Sequence, residues 1–245
     1  GKRALCLGGA KNQLIVAPDA DPELTAKAVV DSFTGCAGQR CMAGSLLLAI
    51  DSAARLIEPI KKLASSIALG SGMGALIDRA ARTRLVAAIE RAESAGVEVA
   101  LDGRSAAVPS TYAGGNWLGP TILDRVTVDM DCAKEELFGP VLSVLRVPTL
   151  EAALAIERSN PYGNATSVFT SSGAVARHVA ERASSGMIGV NVGVPVPREP
   201  FSFGGTKLSK FGHGDITGPS AVEFWTDRKK ITSKWAAQLD ATWMS

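Results

Sequence analysis

An α/β fold on a mostly parallel sheet is indicated by three observations. Short β-rich runs alternate with amphipathic helical patterns along the chain, the signature of crossover units. The run at 45–50 is continuously apolar, as a strand covered on both faces requires. Proline, glycine and Asp/Asn signals fall at the boundaries between these pieces. Of 245 residues 46% are apolar, enough for one large domain or a domain with an appendage.

The elements follow in order. Residues 13–17 form the first strand candidate. Asp21-Pro22 then supplies an N-cap and a proline at the first helical position, and Leu24, Ala28 and Val29 mark an apolar face up to Gly35. A helix thus ends just before Cys41. Strand 45–50 leads into an amphipathic stretch at 54–65 with Leu56, Ile60 and Leu63 on one face. The pattern repeats at 79–95 with Leu85, Ile89 and Ala92, ends at Gly96 and enters strand 97–101, so a second strand-helix unit is expected to match the first. Residues 103–120, rich in Gly, Pro and Ser, read as an irregular crossing before strand 141–147. Helix 150–159 stops at Asn160-Pro161, because proline disfavours helical backbone at the residue before it. Strand 165–170, helix 174–184 and strand 187–191 complete another crossover. From Pro195 the chain reads as loop, closing on a strand-like piece at 229–235.

Composition excludes several function classes. Twenty-six Lys and Arg against 24 Asp and Glu leave a charge of +2 with the signs interspersed, which argues against a nucleic-acid partner. No apolar run approaches the roughly 18 residues that span a bilayer, and Gly1-Lys2-Arg3 opens no signal peptide, so a cytoplasmic location is expected. Four cysteines are too sparse for a disulfide scaffold and show no C-x-x-C spacing. His178 and His213 lack a metal-compatible neighbour at short spacing. The lack of an initiator Met points to numbering that begins inside a longer polypeptide.

The sharpest chemical signal is GCAGQRCMAG at 35–44, a cysteine just past a helix and flanked by small residues that let substrate approach its sulfur. A free thiol has a pKa of roughly 8.5, so a nucleophile needs positive charge or dipoles nearby, and Arg40 is adjacent. By itself such a cysteine also fits a small buried hydrophobe.

Five segments together resemble the aldehyde dehydrogenase family: LGGAKNQLIVAPDAD at 7–21, GQRCMA at 38–43, KEELFGPVLSV at 134–144, NPYGNATSVFT at 160–170 and PFSFGGTKLSKFG at 200–212. The resemblance covers nearly the whole chain and corresponds to the C-terminal half of a family member about twice as long. It implies that Cys41 is the nucleophile, that its own N–H is one oxyanion donor, and that Glu136 and Phe138 contact the ribose and ring of NAD. Hydrolytic members carry a water-activating glutamate thirty-four residues before the nucleophile; here that position is Leu7. GAKN, GQRCMA, NPYGN, the VNVGVPVP run at 190–197 and ITSKW resemble the CoA-acylating methylmalonate-semialdehyde subgroup, in which the thiol of CoA releases the acyl group. That subgroup assigns Arg40 to the substrate carboxylate, which a guanidinium fork suits. The loop at 70–74 is shorter than in the family and has no G-x-G-x-x-G spacing.

The resulting expectation is a three-layer αβα sandwich over 1–226 and an oligomerisation arm over 227–245. Its strand at 229–235 would pair with a neighbouring subunit of a homotetramer or homodimer. The N-terminal half of the same enzyme, NAD, CoA and a semialdehyde are the implied partners. Two alternatives stay open at this level: a non-acylating aldehyde dehydrogenase that releases a free acid, and an inactive remnant that acts as an oligomerisation module.

Overall fold

The structure, a computed structural model, describes residues 1–108 and 110–235. In chain order it contains β1 (Cys6–Leu7), β2 (Asn12–Val16), α1 (Pro22–Thr34), β3 (Gly44–Ile50), α2 (Ile57–Ser65), α3 (Arg79–Ser94), β4 (Glu98–Leu101), β5 (Thr121–Asp124), α4 (Asp131–Lys134) and β6 (Val141–Val147). Then follow α5 (Leu150–Ser159), β7 (Tyr162–Gly163), β8 (Ala165–Phe169), α6 (Gly173–Arg182), β9 (Met187–Val190), β10 (Thr206–Lys207), β11 (Lys210–Phe211) and α7 (Gly218–Trp225).

Seven strands form the central sheet in the order β4-β5-β6-β3-β2-β8-β9. Every neighbouring pair is parallel except β4 with β5. Alternate residues of each strand point to opposite faces, and the core divides accordingly. Leu14, Val16, Leu47 and Ala49 pack with Val29, Val30 and Phe33 of α1 and Ile57 and Ile60 of α2. Ile15, Leu46, Leu48 and Ile50 pack on the other face with Leu85 and Ile89 of α3, Leu154 of α5 and Val179 of α6. Helices on both faces of a mostly parallel sheet are the expected three layers.

The start of α1 is as anticipated, with the Asp21 carboxylate accepting from Leu24 N at 2.8 Å and proline at the first helical position. Its buried face is rotated from the expected one. Ala26, Val29, Val30 and Phe33 are buried, whereas Leu24 is 43% exposed and lines an open cleft. In α2 the apolar stripe is likewise narrower than read, because Leu63 is 38% exposed.

Three features depart from the sequence reading. The unit ending in β4 does not repeat the preceding one: β4 is an antiparallel edge strand whose partner, β5, was hidden in four residues after Gly119-Pro120, too few to show a period. The stretch after Pro195 contains α7, which a proline at the start of its first turn helps to open. Residues 229–235 are exposed and form neither helix nor strand within the chain, and 236–245 of the expected arm lie outside the described residues. Among the described residues no helix is long and apolar enough to cross a membrane.

Leu48 is fully buried on the central strand β3. Leu48→Ala is expected to lower unfolding free energy by about 2–5 kcal/mol, read from the shift of the urea midpoint at unchanged m-value.

Candidate active site

The sheet positions Cys41 through its backbone. After α1 the chain makes a tight 3-10 turn, Gly35–Gly38, in which Cys36 and Ala37 both have φ of 54° and Gly38 a φ of 67°. A Cβ at Gly38 would collide with the Gly139 carbonyl, so this turn lies directly on the 134–144 segment. Residues 40–43 form the next turn, closed by Ala43 N donating to Arg40 O at 3.0 Å. The Cys41 carbonyl accepts from Asn12 Nδ2 at 2.8 Å and Asn164 Nδ2 at 2.9 Å. Asn12 Nδ2 also donates to Ala43 O at 2.8 Å, and Asn12 Oδ1 accepts from Ala165 N at 3.1 Å. Two amides at the amino ends of β2 and β8 therefore pin the loop, while the Cys41 side chain is exposed. Among the described residues no hydrogen bond uses the Cys41 N–H.

Glu136 and Phe138 lie on the neighbouring segment. Phe138 has φ of 52° and is 41% exposed. Buried Leu137 between them offers its carbonyl to Arg84 Nη1 of α3 at 2.6 Å. The Glu136 carboxylate is half-buried, and burial pushes its pKa up, against the opposing pull of the Ala10 N–H, Lys11 and Arg84. Gly9 gives it room, since a Cβ there would stand 3.2 Å from Glu136 Oε2 and 2.8 Å from the Tyr162 ring. Ser209 Oγ donates to Gly9 O at 2.7 Å and accepts from Gly163 N at 3.1 Å. All five resembling segments thus meet around Cys41.

Arg40 is the exception. Its Nη2 donates to the carbonyls of Asp31 at 2.5 Å and Ser32 at 3.1 Å, and its Nε is buried without a partner. The guanidinium is folded back onto the C-terminal end of α1, where a cation complements the helix dipole. It also lines an open cleft of about 480 Å³ with Lys27 and residues 191–194. Leu7, 49% exposed, pairs with Lys210 in a separate two-stranded ladder. Cys6 and Cys36 are exposed; Cys132 is buried, and burial pushes its thiol pKa up. His178 Nε2 pairs with Glu151 Oε1 at 2.7 Å. A larger cavity of about 860 Å³ lies between α1 and α2; it shares Lys27 and Asp31 with the Arg40 cleft and includes none of Cys41, Glu136 and Phe138.

The sequence reading missed Asn12, Asn164, Arg84 and Lys11. Both asparagines stood inside the quoted motifs, and an amide beside a glycine-rich turn was the available signal. Arg84 carried none.

The fold and site define a three-layer α/β domain centred on an exposed cysteine held by its main chain. The Aldehyde dehydrogenase family profile matches residues 1–231, and the chain belongs to that family. It is 39% identical over 242 residues to malonate-semialdehyde dehydrogenase 1 of Geobacillus thermodenitrificans, covering 96% of this chain and 50% of the relative. It is 42% identical over 241 residues to the acylating, mitochondrial methylmalonate-semialdehyde/malonate-semialdehyde dehydrogenase of Bos taurus, covering 96% and 45%. The solved methylmalonate-semialdehyde dehydrogenase of Oceanimonas doudoroffii superposes with a TM-score of 0.93 at 37% identity, covering 97% of this chain and 50% of that one. A structure from Sinorhizobium meliloti 1021, assigned to the same activity and complexed with NAD, gives 0.92 at 39% identity over the same shares. The chain spans about half the length of the curated relatives it matches.

Asn12→Ala removes two donors from the Cys41 loop and the acceptor for Ala165 N. It is expected to cost about 1–3 kcal/mol of stability and to accelerate amide hydrogen exchange at 40–43. Unchanged exchange there would show that the loop is held by other means.

Proposed function

We propose that this chain is the catalytic portion of an NAD-dependent, CoA-acylating dehydrogenase of methylmalonate or malonate semialdehyde. One observation carries the reading: an exposed, backbone-clamped cysteine stands where the family has its nucleophile, while leucine occupies the position of the water-activating glutamate. The acylating name of the bovine relative and the NAD complex of the Sinorhizobium structure support it.

The thiolate of Cys41 attacks the aldehyde carbon, forming a C–S bond and a thiohemiacetal oxyanion. The Cys41 N–H, unspent among the described residues, is available to that oxyanion. NAD, when bound, supplies the hydride acceptor that turns the thiohemiacetal into a thioester. The exposed Phe138 ring and the neighbouring Glu136 carboxylate fit a nicotinamide riboside, one offering a flat apolar face and the other an acceptor for ribose hydroxyls. Leu7 has no group to take a proton from water, so the Cys41 thioester persists until the thiol of CoA attacks its carbonyl carbon and the Cys41 C–S bond breaks. The substrate β-carboxyl group leaves as CO2, the electron pair of the broken C–C bond stays on the α-carbon, which takes a proton from water, and the product is propionyl-CoA or acetyl-CoA. Arg40 takes the substrate carboxylate once it leaves the Asp31 and Ser32 carbonyls. Assembly as a homodimer or homotetramer through 227–245 belongs to the same reading, as does a cytoplasmic location.

Incubation of the full-length protein with semialdehyde, NAD and CoA is expected to give acyl-CoA. Cys41→Ser should lower kcat at least about 1,000-fold and abolish the covalent acyl adduct seen by intact mass. Free acid as the sole product, unaffected by CoA, would overturn the acylating part. Arg40→Leu separates two roles: loss of the α1 contact should cost about 1 kcal/mol of stability, and loss of a carboxylate partner should raise KM for the carboxylated semialdehyde well above any change for propanal.

A further inference from the structure

We propose that Lys11 is a positioning residue for dinucleotide binding, its buried ammonium acting as the internal counter-ion that keeps the Glu136 carboxylate charged against the Gly9-Ala10 backbone. This rests on the reading of Glu136 as a ribose contact. Lysines are almost never fully buried unless paired, because desolvating an ammonium is costly. Lys11 is 2% exposed, and its Nζ has no hydrogen-bond partner among the described residues. Burial lowers its pKa from 10.5 to about 8, which leaves the amine largely protonated at neutral pH.

The groups whose charge acts on it are Cys132 of α4 and Glu135 and Glu136 of the following segment. Cys132 is itself buried with its thiol pKa pushed up, so it stays neutral. Glu135 is exposed, and solvent screens it. Glu136 is half-buried and its Oε2 lies against the main chain just before Lys11, where a Cβ at Gly9 would stand 3.2 Å from it. It is the charge left to balance the ammonium. Arg84 of α3, which holds the Leu137 carbonyl at 2.6 Å, also acts on Glu136 by its charge. Since Lys11 Nζ forms no hydrogen bond among the described residues, it acts on Glu136 through its field. A protonated Glu136 would offer ribose hydroxyls less acceptor capacity. Without Lys11, burial would prevail and the carboxylate would take up a proton at higher pH.

The test uses the full-length protein. Lys11→Met should raise KM for NAD about tenfold at pH 6 but less than threefold at pH 8, with kcat within about threefold of wild type. In a Glu136→Gln background the same change should add less than about twofold at either pH. If Glu136→Gln alone leaves KM for NAD unchanged, the ribose-contact reading falls and the inference with it. If Glu136→Gln raises KM while Lys11→Met acts equally at both pH values and adds in full, the counter-ion role is overturned and the ribose reading stands. Should Lys11→Met fail to fold, the wild type suffices. The Glu136 carboxyl carbon, labelled with 13C and assigned by its loss in Glu136→Gln, should show a small chemical-shift step near pH 8 as the amine deprotonates. A signal flat from pH 7 to 9 would overturn the proposal.

Discussion

Two asparagine amides on one carbonyl oxygen organise this molecule's chemistry. Asn12 and Asn164 both donate to Cys41 O, and Asn12 also holds Ala43 O and the Ala165 N–H. These bonds join the first residue of β2, the loop before β3 and the first residue of β8. Buried amides left without partners are costly, so the loop and the strand ends hold one another in a single arrangement. The sulfur is exposed on a base that belongs to the core.

This places the site at the amino ends of the parallel strands. Open α/β sheets usually take ligands outside the carboxyl ends, where helix N-termini point. The charged and donor groups near it come from elsewhere: a buried Lys11, Arg84 of α3 bound to the Leu137 carbonyl, and the Cys41 N–H. Arg40, next to Cys41 in sequence, directs its charge to the end of α1. Adjacency along the chain and adjacency in charge are different things in this loop.

What was legible in the sequence was whatever is written locally. Asp21-Pro22 marks the start of α1, Asn160-Pro161 the end of α5, and the apolar run at 45–50 a central strand, because each signal acts within one turn or one strand. The four residues of β5 are too short for periodicity, and they are a strand because β6 and β4 flank them. The buried face of α1 was set by α2 and the sheet, and no residue within the helix announces that Leu24 lies outside it. In the site, Cys41, Glu136 and Phe138 were reached through motif resemblance. The groups that hold them were not, since contacts such as Asn164 with Cys41 bridge 123 residues and leave no period to detect.

The approach of Gly38 to Gly139 has a further meaning for how such a site can vary. The loop bearing Cys41 and the segment bearing Phe138 approach main chain to main chain at this point. Any side chain at Gly38 would wedge the two segments apart, so the spacing between them depends on a position that tolerates no Cβ.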